Sequence, residues 1–111
     1  MNDHKLSSLK CEPCSGSTPE MNVKEIIYNL DNLNNWNIND EKKMIFKKFN
    51  FKTFNQALKF TNSVGELADK EGHHPDISLG WGYCLVMIHT HAIKSLSKND
   101  FILASKIDLL T

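Results

Sequence analysis

After Pro19, the apolar residues Val23, Ile26, Ile27, Leu30 and Leu33 recur at three-to-four-residue spacing, which paints one face of a helix. Either "TPE" (18–20) or Asn22 with Glu25 is placed to cap its start. The pattern changes over "NNWNINDEKKMIFKKFNF": Trp36 and Ile38 alternate with asparagines, Asn39 to Glu41 reads as a turn, and a run rich in β-formers follows, so a hairpin is predicted. Thr53 with Gln56 three residues later is a capping-box pattern, and Phe54, Ala57, Leu58, Thr61, Val64, Leu67 and Ala68 continue a helical stripe that ends near Gly72. From Pro75 the period drops to two, with Ile77, Leu79 and Trp81 alternating with Asp76, Ser78 and Gly80. Gly82-Tyr83 suits a two-residue type II′ turn, and "CLVMIHTH" forms the returning strand. Ser97 with Asp100 then opens a last helix through Leu103, Ile107 and Leu110.

Helix, hairpin, helix, hairpin, helix predicts an α+β domain with a mainly antiparallel sheet and helices over one face. Residues 1–17, "MNDHKLSSLKCEPCSGS", are turn-forming and non-periodic, and read as a flexible N-terminal arm ahead of a single domain over 18–111. A chain of 111 residues supports one hydrophobic core and not two.

Charge removes one class of partner. Thirteen Lys and Arg cancel thirteen Asp and Glu, so no basic excess marks a surface for nucleic acid. The longest apolar run, "CLVMI", is far short of a membrane span, and no signal peptide stands at the N-terminus, so a soluble cytoplasmic protein is expected. Three cysteines, Cys11, Cys14 and Cys84, do not make a disulfide framework. The single CxxC pair lacks the two further ligands of a structural zinc site.

Four of the five histidines, at 73, 74, 89 and 91, fall in "DKEGHHPDISLGWGYCLVMIHTH" (69–91). With Gly82-Tyr83 as the loop, Trp81 pairs with Cys84, Leu79 with Val86 and Ile77 with Ile88, giving one apolar face. On the other face Asp76 then lies across from His89, and His74 across from His91, with β-carbons about 5 Å apart. Leu85 and Met87 share that polar face. His73 joins from the bend before Pro75, and Asp69, one turn before the helix end, is near enough to orient an imidazole. Three readings stay open on these residues: a three-histidine metal site, an acid/base pocket, or histidines that merely meet solvent, the last being the expectation for His89.

The spacing Asp69, three residues, His73-His74-Pro75, His91 eighteen residues after His73 and Asp100 nine further on resembles the pterin-4a-carbinolamine dehydratases. The likeness extends through "NNWNINDEKKMIFKKF", "FNFKTFNQALKFTNSVGELADKEGHHP" and "LSKNDFILASKID", roughly residues 18–110. It implies a four-stranded antiparallel sheet with three helices on one face, in the order α-β-β-α-β-β-α. It also implies elimination of water from 4a-hydroxytetrahydropterin, in tetrahydrobiopterin recycling, with no cofactor and no metal. By resemblance His73 and His91 are acids for hydroxyl loss, and His74 holds the pterin and helps accept the N5 proton. Asp69 and Asp100 would hold or polarise the cluster, Pro75 belongs to the motif, and Trp36 matches an aromatic near the pterin. Asp69 is shorter than the glutamate often found there, and Asn99 stands where many relatives carry a basic residue. Further implications are a homodimer or homotetramer, a functional link to an aromatic amino acid hydroxylase and, as a rival role, a dimerisation cofactor for a transcription factor.

Overall fold

The structure, a computed structural model, describes residues 6–111. Helix α1 (Val23–Asp31) starts at Asn22, whose side chain accepts from the Glu25 N–H while Glu25 accepts from the Asn22 N–H, so this pair, and not "TPE", caps the helix. Strands β1 (Asn37–Ile38) and β2 (Ile45–Asn50) form the first hairpin, its connection tied by Asn39 Oδ1, which accepts from the N–H groups of Lys43 and Met44. Helix α2 (Phe54–Glu71) is capped by Thr53 and ends at Gly72, whose φ of 68° is the left-handed stop that glycine adopts without strain. Strands β3 (Asp76–Gly80) and β4 (Tyr83–Ile88) make the second hairpin, and helix α3 (Lys98–Asp108) closes the fold.

The four strands are antiparallel in the order β1-β2-β4-β3, so the architecture is the expected α+β sheet with three helices. On the covered face Ile45, Phe49, Cys84, Val86 and Ile88 are buried, and they pack with Val64 of α2 and with Phe101, Leu103 and Ile107 of α3. Each such aliphatic or aromatic side chain contributes roughly 1.5–3 kcal/mol by leaving water. None of the described helices is long and apolar enough to cross a membrane.

Two expectations are corrected. First, the second hairpin turns on Trp81-Gly82 and not Gly82-Tyr83: Gly80 pairs with Tyr83, Leu79 with Cys84, Ile77 with Val86 and Asp76 with Met87. Gly82 has φ 76°, so the left-handed residue stands second in the loop, as a type II turn requires, and not first, as type II′ would. A Cβ on Gly80 would overlap the Tyr83 ring, so the ring lies over the bare backbone and fixes this pairing. Because the slide amounts to two residues, each side chain keeps the face expected of it.

Second, the N-terminal segment is not loose where it is described. Leu6, in a short 3-10 turn (Leu6–Ser8), is buried, and Leu9 and Cys11 pack against the core. The Cys11 N–H donates to Glu71, and Glu12 makes two hydrogen bonds with the side chain of Asn99. Isolated apolar anchors at Leu6 and Leu9 suffice to seat a segment with no regular period. Residues 1–5 of the expected arm lie outside the described residues.

Candidate active site

The motif residues gather where β3 begins and β4 ends. Pro75 would oppose Ile88 and has no N–H to give the ladder, and pairing of β3 with β4 stops at Asp76. Thr90 then bridges back to Ser95, with its N–H donating to the Ser95 carbonyl at 2.8 Å, and His91–Lys94 form a turn.

Asp100 is the centre of this region. It is fully buried at the first turn of α3, where its Oδ2 accepts from the Ser97 N–H at 2.8 Å and from the Thr90 hydroxyl at 2.8 Å. The Ser97 hydroxyl in turn meets Thr90 Oγ1 at 2.6 Å. Its Oδ1 lies 2.6 Å from Nε2 of His73, itself only 5% exposed. A carboxylate only accepts, so Nε2 donates and leaves Nδ1 as the other working edge of the ring. Nδ1 faces the Cys14 thiol at 3.8 Å, and Cys14 Sγ accepts from the Asn99 amide at 2.9 Å.

The other two motif histidines are solvent-facing, and each has its own carboxylate. His74 Nε2 is 2.9 Å from Asp69 Oδ1, and His91 Nε2 is 3.9 Å from Asp76 Oδ2. The expected His74–His91 facing pair is therefore not what the hairpin builds, because it required the register that Trp81-Gly82 displaces. The half-buried His89 has its ring 4.2 Å, centroid to centroid, from that of His91. Asp76, His89 and His91 bring one potential ligand atom each within 4.8 Å of one another, the one group among the described residues able to hold a metal.

Trp36 is elsewhere. Its Nε1 donates to Asp108 at 3.1 Å, beside the ion pair that Asp108 makes with Lys47. Asp108 and Asp100 are eight residues apart on α3, a rise of about 12 Å, so Trp36 joins the far end of the helix from His73. Sequence reasoning missed Thr90, Ser97, Cys14 and Asn99. The CxxC signal was present for Cys14, but nothing in the sequence shows that the segment folds over His73.

Electrostatics sharpen the wall beside this cluster. Burial, and after it the Glu71 carboxylate, push the Cys11 thiol up to about 12. Burial also raises the Glu71 carboxyl, but its bond to Lys106 at 2.9 Å and the Cys11 N–H outweigh that and hold it below the usual carboxylate range. Buried Cys84 is likewise pushed up by desolvation. The arrangement offers one buried histidine–aspartate pair and two solvent-facing ones, suited to holding and moving protons at a bound ligand.

Comparison with known proteins gives the family. Residues 19–110 match the family model described as pterin 4 alpha carbinolamine dehydratase. A protein of Rickettsia bellii, provisionally named a pterin-4-alpha-carbinolamine dehydratase, is 47% identical over 105 residues, covering 95% of this chain and 93% of the relative. One of Methylococcus capsulatus with the same provisional name is 43% identical over 105 residues, covering 95% and 92%. The crystal structure of a transcriptional coactivator/pterin dehydratase from Brucella melitensis superposes with a TM-score of 0.78 at 25% identity, covering 83% of this chain and 98% of that one. A pterin dehydratase-like protein identified as a RuBisCO assembly factor in the alpha-carboxysome shares the fold, with a TM-score of 0.60 at 23% identity over 69% of this chain and 89% of that one. By the match over 19–110 and these relatives, the chain belongs to the pterin 4 alpha carbinolamine dehydratase family.

Proposed function

We propose that this protein is an enzyme that dehydrates 4a-hydroxytetrahydropterin to the quinonoid dihydropterin by histidine acid/base catalysis, with no cofactor. The observation that carries the reading is the buried His73–Asp100 pair at 2.6 Å, with the two other motif histidines each beside a carboxylate, His74 with Asp69 and His91 with Asp76. The C4a–O bond breaks as the departing hydroxyl takes a proton and leaves as water. The N5 lone pair closes the C4a–N5 double bond, and the N5 proton is lost. Nitrogen supplies the electron push, so a proton donor and a proton acceptor suffice and no Lewis acid is required.

In this reading His73 and His91 protonate the leaving hydroxyl; Nε2 of His73 keeps its proton on Asp100, so the proton it gives is a second one carried on Nδ1. His74, exposed and steadied by Asp69, holds the pterin and accepts the N5 proton. Asp69 and Asp100 are positioning residues, as is Pro75, which fixes the backbone between His74 and Asp76. Trp36, bonded to Asp108, takes no part in the proton steps of this reading. The cellular setting proposed is cytoplasmic tetrahydrobiopterin recycling beside an aromatic amino acid hydroxylase, in a homodimer or homotetramer.

The direct test is purified protein incubated with enzymatically generated 4a-hydroxytetrahydropterin, its dehydration rate compared with a no-enzyme control. A rate above the control is expected, falling to near background in a His73→Ala/His91→Ala double variant. A double variant that kept the full rate would overturn the reading.

A second reading, protein binding, is favoured by the apolar surface left outside the core: Ile27 and Tyr28 of α1 are exposed, and Leu85 and Met87 on the outer sheet face are only half-buried. The Brucella relative's description as a transcriptional coactivator points the same way. Sedimentation of the purified chain tests it, since a stable monomer leaves these surfaces for another protein and a homo-oligomer supplies their cover.

A further inference from the structure

The geometry points to a second use of this end of the hairpin: a site for a borderline divalent transition metal of the Zn2+ or Co2+ kind, held by Asp76, His89 and His91. It shares His89 and His91 with the three-histidine metal site raised by the sequence and differs from it in taking the Asp76 carboxylate, and not a third imidazole, as its remaining ligand. The register gathers its ligands. Asp76 pairs with Met87, and alternation continues past the strand end, with Ile88 and Thr90 buried while His89 and His91 face outward. Asp76 is thus on the face from which both imidazoles project.

The ligand atoms already lie close. All three fall within 4.8 Å of one another, with His91 Nε2 at 3.9 Å from Asp76 Oδ2 and the two rings 4.2 Å apart. Metal–nitrogen and metal–oxygen bonds near 2.0–2.2 Å place tetrahedral donors about 3.4 Å apart, so small side-chain rotations close the set. The backbone between the histidines is fixed, because Thr90 bonds Ser95 through its N–H and Asp100 through its hydroxyl. Pro75 restrains the chain just ahead of Asp76. Fixing the framework beforehand lowers the ordering cost of binding. Two imidazoles with one carboxylate select zinc-like ions over Mg2+ and Ca2+, which take oxygen ligands in larger number.

One consequence rests on the dehydratase reading. A nitrogen of His91 that holds a metal has no proton to give, so the ion acts as an inhibitor, and His89, outside the family's motif, confers that sensitivity on this chain.

The test uses the full chain, stripped with chelator and titrated with Zn2+ by calorimetry and with Co2+ by visible absorption. One equivalent per chain is expected, with Mg2+ not competing. Affinity should fall at least about tenfold in His89→Ala, the scale of loss that even changes behind the ligands cause. A Cys11→Ser/Cys14→Ser variant should bind as the native chain does. Equal binding by His89→Ala, or loss of binding on removing the cysteines, would overturn the site. Dehydration by the native chain should slow at saturating Zn2+, whereas His89→Ala should keep its basal rate and resist the ion. Binding without inhibition overturns the role of His91 in dehydration and leaves the metal site standing. Absence of binding overturns the site and leaves the dehydratase reading as it was.

Discussion

Asp100 starts a helix and grips a histidine with the same carboxylate: one oxygen takes the Ser97 N–H, and the other lies 2.6 Å from Nε2 of His73. Exchanging Asp100 for Asn therefore disturbs both at once. The amide cannot accept at both positions, and one bond partner among His73, Thr90 and Ser97 is left unmet in a fully buried place. Leaving a buried polar group without its partner costs about 1–3 kcal/mol. Urea unfolding should report a loss of that order, with the dehydration rate falling as His73 loses its orientation; an Asp100→Asn protein of native stability and rate contradicts the arrangement.

Glu71 makes stability depend on acid. Its carboxyl is held below the ordinary value of 4.5 when folded, so the stability it contributes is complete above that value and drains away as pH falls through the lower folded value. Glu71→Gln should be less stable than the native chain at neutral pH, and the gap should narrow as the solution is acidified. Unfolding midpoints measured from pH 7 to pH 3 give the comparison; a constant gap contradicts it.

Cys11 should be chemically quiet. With its thiol pushed up to about 12, almost no thiolate exists at pH 8, and the thiolate is the attacking species. Raising the pH should lower stability, since the neutral thiol is the form the fold prefers. Alkylation of native protein at pH 8, followed by peptide mapping, should leave Cys11 and Cys84 unmodified over a time that labels both in denaturant. Labelling of Cys11 at the same rate in both conditions rules this out.

Gly80→Ala puts a methyl group into the Tyr83 ring. Forcing that overlap should cost about 1–3 kcal/mol. Gly80→Ala/Tyr83→Ala should cost less than the two single changes added together, because removing the ring makes room. Strict additivity in urea midpoints means that the ring does not lie over Gly80.

Much of the fold was legible because periodicity reports burial. The stripes of α1 and α2, the alternation from Ile77 to Leu79, and the caps at Asn22, Thr53 and Ser97 all stand where the chain patterns place them. The loop of the second hairpin was harder, since Gly82 fits either position of a two-residue turn, and what decides is the contact of Tyr83 with Gly80, which exists only after folding. Sliding by two residues preserved the faces, so the apolar side came out right while the partner of each histidine did not. His73, His74 and His91 carry a visible motif. That His73 goes inside with Asp100 while the other two stay in water depends on Thr90 and Ser97, whose hydroxyls look like ordinary loop residues in sequence.

The match to the family spans residues 19–110, yet Cys11, Glu12 and Cys14 touch Glu71, Asn99 and His73 from outside it. A chain trimmed to the family boundary would keep every motif residue and lose the contacts that Cys11, Glu12 and Cys14 make with Glu71, Asn99 and His73. The unit that packs together is thus longer than the stretch by which the family is recognised.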